Sequence, residues 1–261
     1  MVRRFSLVCT VVVLCGLWGC DRQLSPQATE QLQSGKAAYA AGNNEEAIVR
    51  MDAFLQQNAK SSRADEAFYI RGLARYSLKQ YPPAKSDLQA ALDSADSREL
   101  RAKAALALGD LGYDTNDMPS AEAMYASALN NLDRGVPPAD HAYYRLGQSL
   151  QRQGKWEQAD LQFSRVLHFA PGSELAKRAA KLIHCRAWTV RAGSFAGRGN
   201  AESSAAELRK EKLPVEIKVD MSNGAAQYLL NVGRYSSCEQ ALAALAGVKR
   251  IQSDAYVTAT E

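Results

Sequence analysis

Alanines at positions 47, 84, 121 and 159 recur at intervals of 37, 37 and 38 residues through an alanine-rich stretch that begins near Ala28. Each has a glycine twelve residues upstream: Gly35, Gly72, Gly109 and Gly147. Self-similarity at such a period marks one supersecondary unit copied along the chain. The clearest copy is Y-R-L-G-Q-S-L-Q-R-Q-G-K-W-E-Q-A, Tyr144 to Ala159, followed by Phe163 and Pro171. The others align as Gly35, Gly42 and Ala47; Gly72, Tyr81 and Ala84; and Gly109, Met118 and Ala121. Glycine or alanine at a helix crossing lets two backbones approach. Phe68, Tyr125, Tyr143 and Phe163 are suited to filling the space between neighbouring units. Ser, Pro and charged residues at Ser61–Ala64, Ser97–Arg101 and Arg134–Ala139 mark the joints. One helix pair cannot bury its apolar face, so about three or more must stack. Four copies closed by a helix over Ser173–His184 predict an all-α solenoid.

These units resemble tetratricopeptide repeats, each a helix-turn-helix. The resemblance implies a concave groove that takes a protein partner, whose identity the sequence leaves unknown. Tyr39, Tyr76 and Tyr113 stand at a strict interval of 37 on the first helix of successive copies, a position that faces the groove in that family. Tyrosine offers rigid, amphipathic contact area. The alternative is that the three pack the array. Gln151 ends the series in the fourth copy. Lys36, Asp110 and Gln148 lie at a second groove position and add polar groups.

Beyond residue 186 the period changes from helical to alternating. W-T-V-R-A-G-S-F (Trp188–Phe195) and Y-L-L-N-V-G-R-Y (Tyr228–Tyr235) are apolar strands ending in Gly, a small or polar residue and an aromatic. Helix-period stretches follow each, at Asn200–Lys212 and Ser236–Val248, and then further strands at Val215–Met221 and Asp254–Thr258. Strand-helix-strand twice predicts a small α+β, ferredoxin-like split βαβ, with an antiparallel sheet covered by helices on one face. G-S-F, V-G-R-Y forty residues later and D-A-Y-V at Asp254–Val257 together resemble the SPOR family of peptidoglycan-binding domains. The resemblance implies binding of glycan strands lacking stem peptides on the uncovered sheet face. Alternation puts Thr189 and Arg191 there, with Leu229 and Asn231, while Val190, Ala192, Tyr228, Leu230 and Val232 point inward. Ser194, Phe195, Arg234 and Tyr235 stand at strand ends, where they either clasp a sugar chain or, for the two aromatics, plug the core.

The N-terminus reads as a targeting segment. Arg3 and Arg4 precede an apolar run, Phe5–Trp18, shorter than the ~20 residues of a membrane span. L-W-G-C then resembles a lipobox, implying signal residues 1–19, acylated Cys20 and a tether over residues 20–27. The alternatives are secretion with Cys20 free, or an uncleaved anchor. Removing Arg3 and Arg4 lowers the net charge from +4 to +2. The remaining charges are mixed and show no nucleic-acid footprint. Cys185 and Cys238 remain as a pair in an oxidising compartment, and the topology brings both to one edge of the sheet. A disulfide is expected there, two independent buried thiols being the alternative. His141, His168 and His184 have no partners at metal or triad spacing, and no motif for catalysis or a cofactor occurs.

The sequence therefore predicts a multidomain chain: repeats over residues 28–186, then the sheet module over 187–261. The expected role is a non-enzymatic adaptor, lipid-anchored on the periplasmic side of a Gram-negative envelope membrane, inner or outer. It would join peptidoglycan to a protein partner in cell division or envelope remodelling. The rival expectation is an assembly or secretion factor for outer-membrane or pilus components.

Overall fold

The computed structural model describes residues 24–221 and 224–261. The leader and Cys20 lie outside the described residues.

Helices pair in chain order: α1 (Pro26–Ala40) with α2 (Asn44–Asn58), α3 (Ala64–Ser77) with α4 (Tyr81–Ser94), α5 (Arg98–Asp114) with α6 (Met118–Asn131), and α7 (Ala139–Arg152) with α8 (Trp156–Phe169). A short α9 (Glu174–Ala180) closes the array. Among the described residues no helix is long and apolar enough to cross a membrane.

The crossing within each pair has one construction. Gly35, Gly72, Gly109 and Gly147 each face the residue sixteen positions on: Met51, Leu88, Tyr125 and Phe163. A Cβ at the last three glycines would stand 2.6–2.8 Å from those side chains. All four partners are fully buried, as are the alanines at 47, 84, 121 and 159. The turn between paired helices is equally regular. Gly42, Lys79, Asn116 and Gly154 carry φ of +80°, +59°, +62° and +74°. The next N–H returns to the carbonyl five residues back, as from Asn43 to Ala38 and from Gln80 to Arg75, each at 2.9 Å. This is the left-handed closure that ends helices. The counterparts of Gly42 are thus Lys79 and Asn116. Tyr81 and Met118, which the sequence alignment put there, instead open α4 and α6. Glycine is favoured at this position but not obligatory, which hid the register.

The sheet module runs β1 (Ala187–Phe195), α10 (Arg198–Lys210), β2 (Val215–Asp220), β3 (Gln227–Tyr235), α11 (Cys238–Lys249) and β4 (Tyr256–Thr260). The fourth strand starts two residues later than expected. All pairings are antiparallel in the order β2-β3-β1-β4. Both helices cover one face, where Val190, Ala192, Leu230 and Val232 pack with Leu208 of α10 and Val248 of α11. The other face is uncovered.

Cys185 and Cys238 are both buried and free, so the expected bridge is not formed. Cys238, the first residue of α11, packs with Ala241 of the same helix against Trp188. Cys185 turns back toward the solenoid and donates to the Lys181 carbonyl at 3.6 Å. The shared sheet edge brings the two chain segments near each other but aims the thiols apart.

Candidate functional site

Two surfaces collect the residues singled out by sequence. The first is the uncovered sheet face. Pairing across the strands places Glu216, Asn231, Arg191 and Tyr256 in one row, from β2 through β3 and β1 to β4. Arg191 Nε donates to Asn231 Oδ1 at 2.6 Å. Asn231 is only 2% exposed, while Tyr256 at the end of the row is 54% exposed. Partial burial pulls the Arg191 guanidinium below its ordinary value, against the opposite pull of Tyr256 and Asp220. The next row holds Lys218, Leu229 and Ser194. Lys218 Nζ reaches Glu261 at 2.9 Å, and Arg234 donates to the Glu261 carbonyl. Ser194 is exposed and makes one long hydrogen bond, to Gln227 at 3.4 Å.

This row corrects part of the expected site. Thr189 is 1% exposed, and its hydroxyl donates to the Gly233 carbonyl at 2.7 Å. It ties β1 to β3 and offers nothing to a ligand. Asn231 acts through Arg191, holding the guanidinium in place. Phe195 and Tyr235 fold back over Gly193 and Gly233, whose missing Cβ atoms would stand 2.7 and 2.5 Å from the nearest ring carbons. Both rings join the core beneath the sheet. The Gly-x-aromatic motif is therefore a packing device, and the aromatics plug the core. Sequence reasoning passed over Tyr256, Glu216 and Lys218. The alternation of V-E-I-K-V-D in β2 carried the signal for two of them.

The second surface is on the first helices of the repeats. Tyr39, Tyr76 and Tyr113 are all partly exposed there. Tyr76 Oη donates to Asp114 at 2.6 Å. Tyr113 lies beneath two guanidiniums, Arg145 at 4.9 Å and Arg152 at 5.2 Å from its centroid. Tyr69, near Tyr39, has its hydroxyl pushed up to about 12, by burial first and then by Tyr39 and Asp110. Lys36 pairs with Glu66, which also takes Arg63. Asp110 accepts from Tyr125 at 2.6 Å and lies 3.7 Å from Arg145. Gln148 donates weakly to Tyr144, at 3.4 Å. Lys36 and Asp110 thus serve internal contacts that shape the surface. The missed residues are Arg145 and Arg152, two turns apart on α7, and Arg178, which lies over Tyr144 at 5.3 Å. Sequence spacing on α7 carried that signal.

The repeats and the sheet module meet directly, on the helix-covered side of the sheet. Trp156 of α8 packs against Trp188 of β1 with centroids 5.9 Å apart. Asp160 accepts from the His184 N–H at 3.0 Å and from Arg186 at 2.8 Å. Gln151, 1% exposed, donates to the Leu182 carbonyl at 2.8 Å, which is why the tyrosine series stops there.

Comparison with known proteins agrees with this architecture. The SPOR domain family model matches residues 186–259, and a tetratricopeptide-repeat model matches residues 141–173. The YfiO outer membrane lipoprotein model matches residues 23–101. No curated protein matches the chain in sequence. Among solved structures, a tetratricopeptide repeat protein from Parabacteroides merdae aligns with a TM-score of 0.54 at 12% identity, covering 72% of this chain and 68% of that one. YrrB, described as a TPR protein with an unusual peptide-binding site, aligns at 0.50 and 18%, covering 87% of both chains. MamA aligns at 0.51 and 19%, covering 60% of this chain and 79% of its own. At these identities the likeness is one of fold.

Proposed function

We propose that this chain, a tetratricopeptide-repeat protein with a C-terminal SPOR domain, is a lipid-anchored periplasmic adaptor. Cys20 carries the lipid, the repeats take a protein partner, and the sheet holds glycan strands lacking stem peptides, at sites of remodelling such as a division septum. The observation that carries this reading is the uncovered sheet face. Arg191, Ser194, Lys218 and Glu216 there provide donors and acceptors for sugar hydroxyls, while Tyr256 and Leu229 provide surfaces for sugar C–H faces. The direct packing of Trp156 on Trp188 supports a short coupling between partner and wall.

A second reading has its own support in the outer-membrane-lipoprotein match over residues 23–101. There the chain is an assembly factor working through its first helix pairs, and the sheet is a docking appendage.

Co-sedimentation with purified, peptide-stripped sacculi separates the two. Tyr256→Ala removes an exposed ring and should weaken sedimentation several-fold with the fold intact. Arg191→Ala alone would strand Asn231, so Arg191→Leu with Asn231→Leu is the cleaner pair, because removing both partners of a buried hydrogen bond is close to neutral. Undiminished sedimentation of both folded variants would remove the sheet face from the reading.

A further inference from the structure

Where the last repeat meets the sheet module, a cavity of about 290 Å³ has walls from both. Tyr113, Gln148 and Arg152 come from the repeats, and Trp188, Cys238 and Thr258 from the sheet module. Oε1 of Gln148 and Nε1 of Trp188 are buried without a hydrogen-bond partner. The first is an acceptor and the second a donor, and each belongs to a side chain lining the cavity. Buried polar atoms ordinarily have partners, so two orphans of opposite sense on one cavity require an explanation. The third feature is Arg152. Its guanidinium lies over Tyr113 and beside the Cys238 thiol. Among the described residues no carboxylate stands within ion-pair distance of it, whereas Arg145 has Asp110 at 3.7 Å.

We infer that this cavity receives the C-terminal residue of a partner protein, whose chain runs along the tyrosine surface and ends between the two domains. A terminal residue carries one N–H and one carboxylate on adjacent groups. The N–H satisfies Gln148 Oε1, and the carboxylate accepts from Trp188 Nε1–H and Arg152. An interior peptide without an acidic side chain leaves the Arg152 charge unanswered. Chloride or sulfate brings no donor for Gln148, and an amino terminus is repelled by Arg152. The cavity lies at the small end of ligand sites, room for roughly the last two or three residues of a chain. Tyr113 is both the last of the three tyrosines and a wall of the cavity, so the end site continues the groove. The inference rests on the partner-groove reading proposed above.

The test titrates the intact protein with N-acetyl-Gly-Gly-Ala as free acid and as carboxamide, following the indole N–H resonances, with Trp156→Phe assigning that of Trp188. The acid should shift the Trp188 resonance saturably and bind at least about tenfold more tightly than the carboxamide, the worth of a charge-assisted hydrogen bond. Arg152→Gln should bring the acid down to the carboxamide's affinity. Equal binding of acid and amide by the unaltered protein overturns the inference, even if the Arg152 variant fails to fold. An unmoved Trp188 resonance does so as well. Tighter binding of the same tripeptide ending in D-alanine also overturns it, because the cavity would then read cell-wall peptides. None of these outcomes touches the groove reading, which is decided separately by whether Tyr39→Ala with Tyr76→Ala reduces the envelope proteins held by the immobilised chain.

Discussion

Substituting Gly147 by Ala sets two effects of known sign against each other. Helix propensity favours Ala over Gly by roughly 0.8–1 kcal/mol. The added Cβ, however, would stand 2.6, 2.9 and 2.9 Å from three carbons of the Phe163 ring. Ordinary contact begins near 3.4 Å, so the ring must retreat by most of an ångström. It has nowhere to go: Phe163 is 0% exposed and packs against Tyr144 at 5.9 Å. Overpacking of this kind costs about 1–3 kcal/mol. The expected net is a loss of about 0–2 kcal/mol, toward the upper end because the clash involves a ring held on all sides and not a flexible chain end. Gly247 is the control. It is also helical, in α11, and an added Cβ there meets nothing within 4 Å. Gly247→Ala should therefore stabilise by roughly 0.5–1 kcal/mol. Urea unfolding followed by tryptophan fluorescence gives both values when each variant is also made with Trp156→Phe and with Trp188→Phe, because the two indoles pack on each other and only single-tryptophan versions report on one domain at a time. Stabilisation by Gly147→Ala equal to that of Gly247→Ala would refute the account of the crossing. The reasoning extends to the groove, because the same crossing fixes where Tyr144 and Gln148 face.

Three further expectations follow from the cysteines. Burial, aided by Glu261 and Asp160, pushes the Cys185 thiol up to about 11. A raised folded-state value leaves its contribution to stability intact below pH ~9, and the contribution falls as pH rises from there toward 11. At pH 8 the thiolate fraction is about two orders of magnitude below that of an exposed thiol, so a thiol reagent should label both cysteines only after denaturation. Rapid labelling of the native protein, or no free thiol in denatured protein taken from cells, contradicts the two-thiol state. Cys20→Ser should release the protein from membranes and abolish acylation detected by mass spectrometry; a wild-type protein found soluble without detergent removes the anchor.

Local order was legible in the sequence because it is written within a few residues. The glycine and alanine register announced four helix pairs, and alternation assigned Val190, Ala192, Leu230 and Val232 to the covered face. Both signals are periods of one strand or helix, set by backbone geometry whatever the neighbours. Only the tertiary structure decided which polar groups answer one another. Thr189 has the parity of an exposed residue, yet its hydroxyl is taken by a carbonyl 44 positions away. Parity puts Arg191 and Asn231 on the open face but does not say that they hold each other there across 40 positions. One-residue irregularities between Trp188 and Val190 and between Arg191 and Gly193 shift the register, returning Ser194 to the open face beside Leu229. No local pattern encodes such shifts, because an inserted residue changes the parity of everything beyond it. The cysteines, brought near by topology and aimed apart by packing, and the cavity walled by Gln148 on one domain and Trp188 on the other have the same origin. Periodicity fixes the face on which a side chain lies, but the partner it meets there depends on how separately formed elements dock.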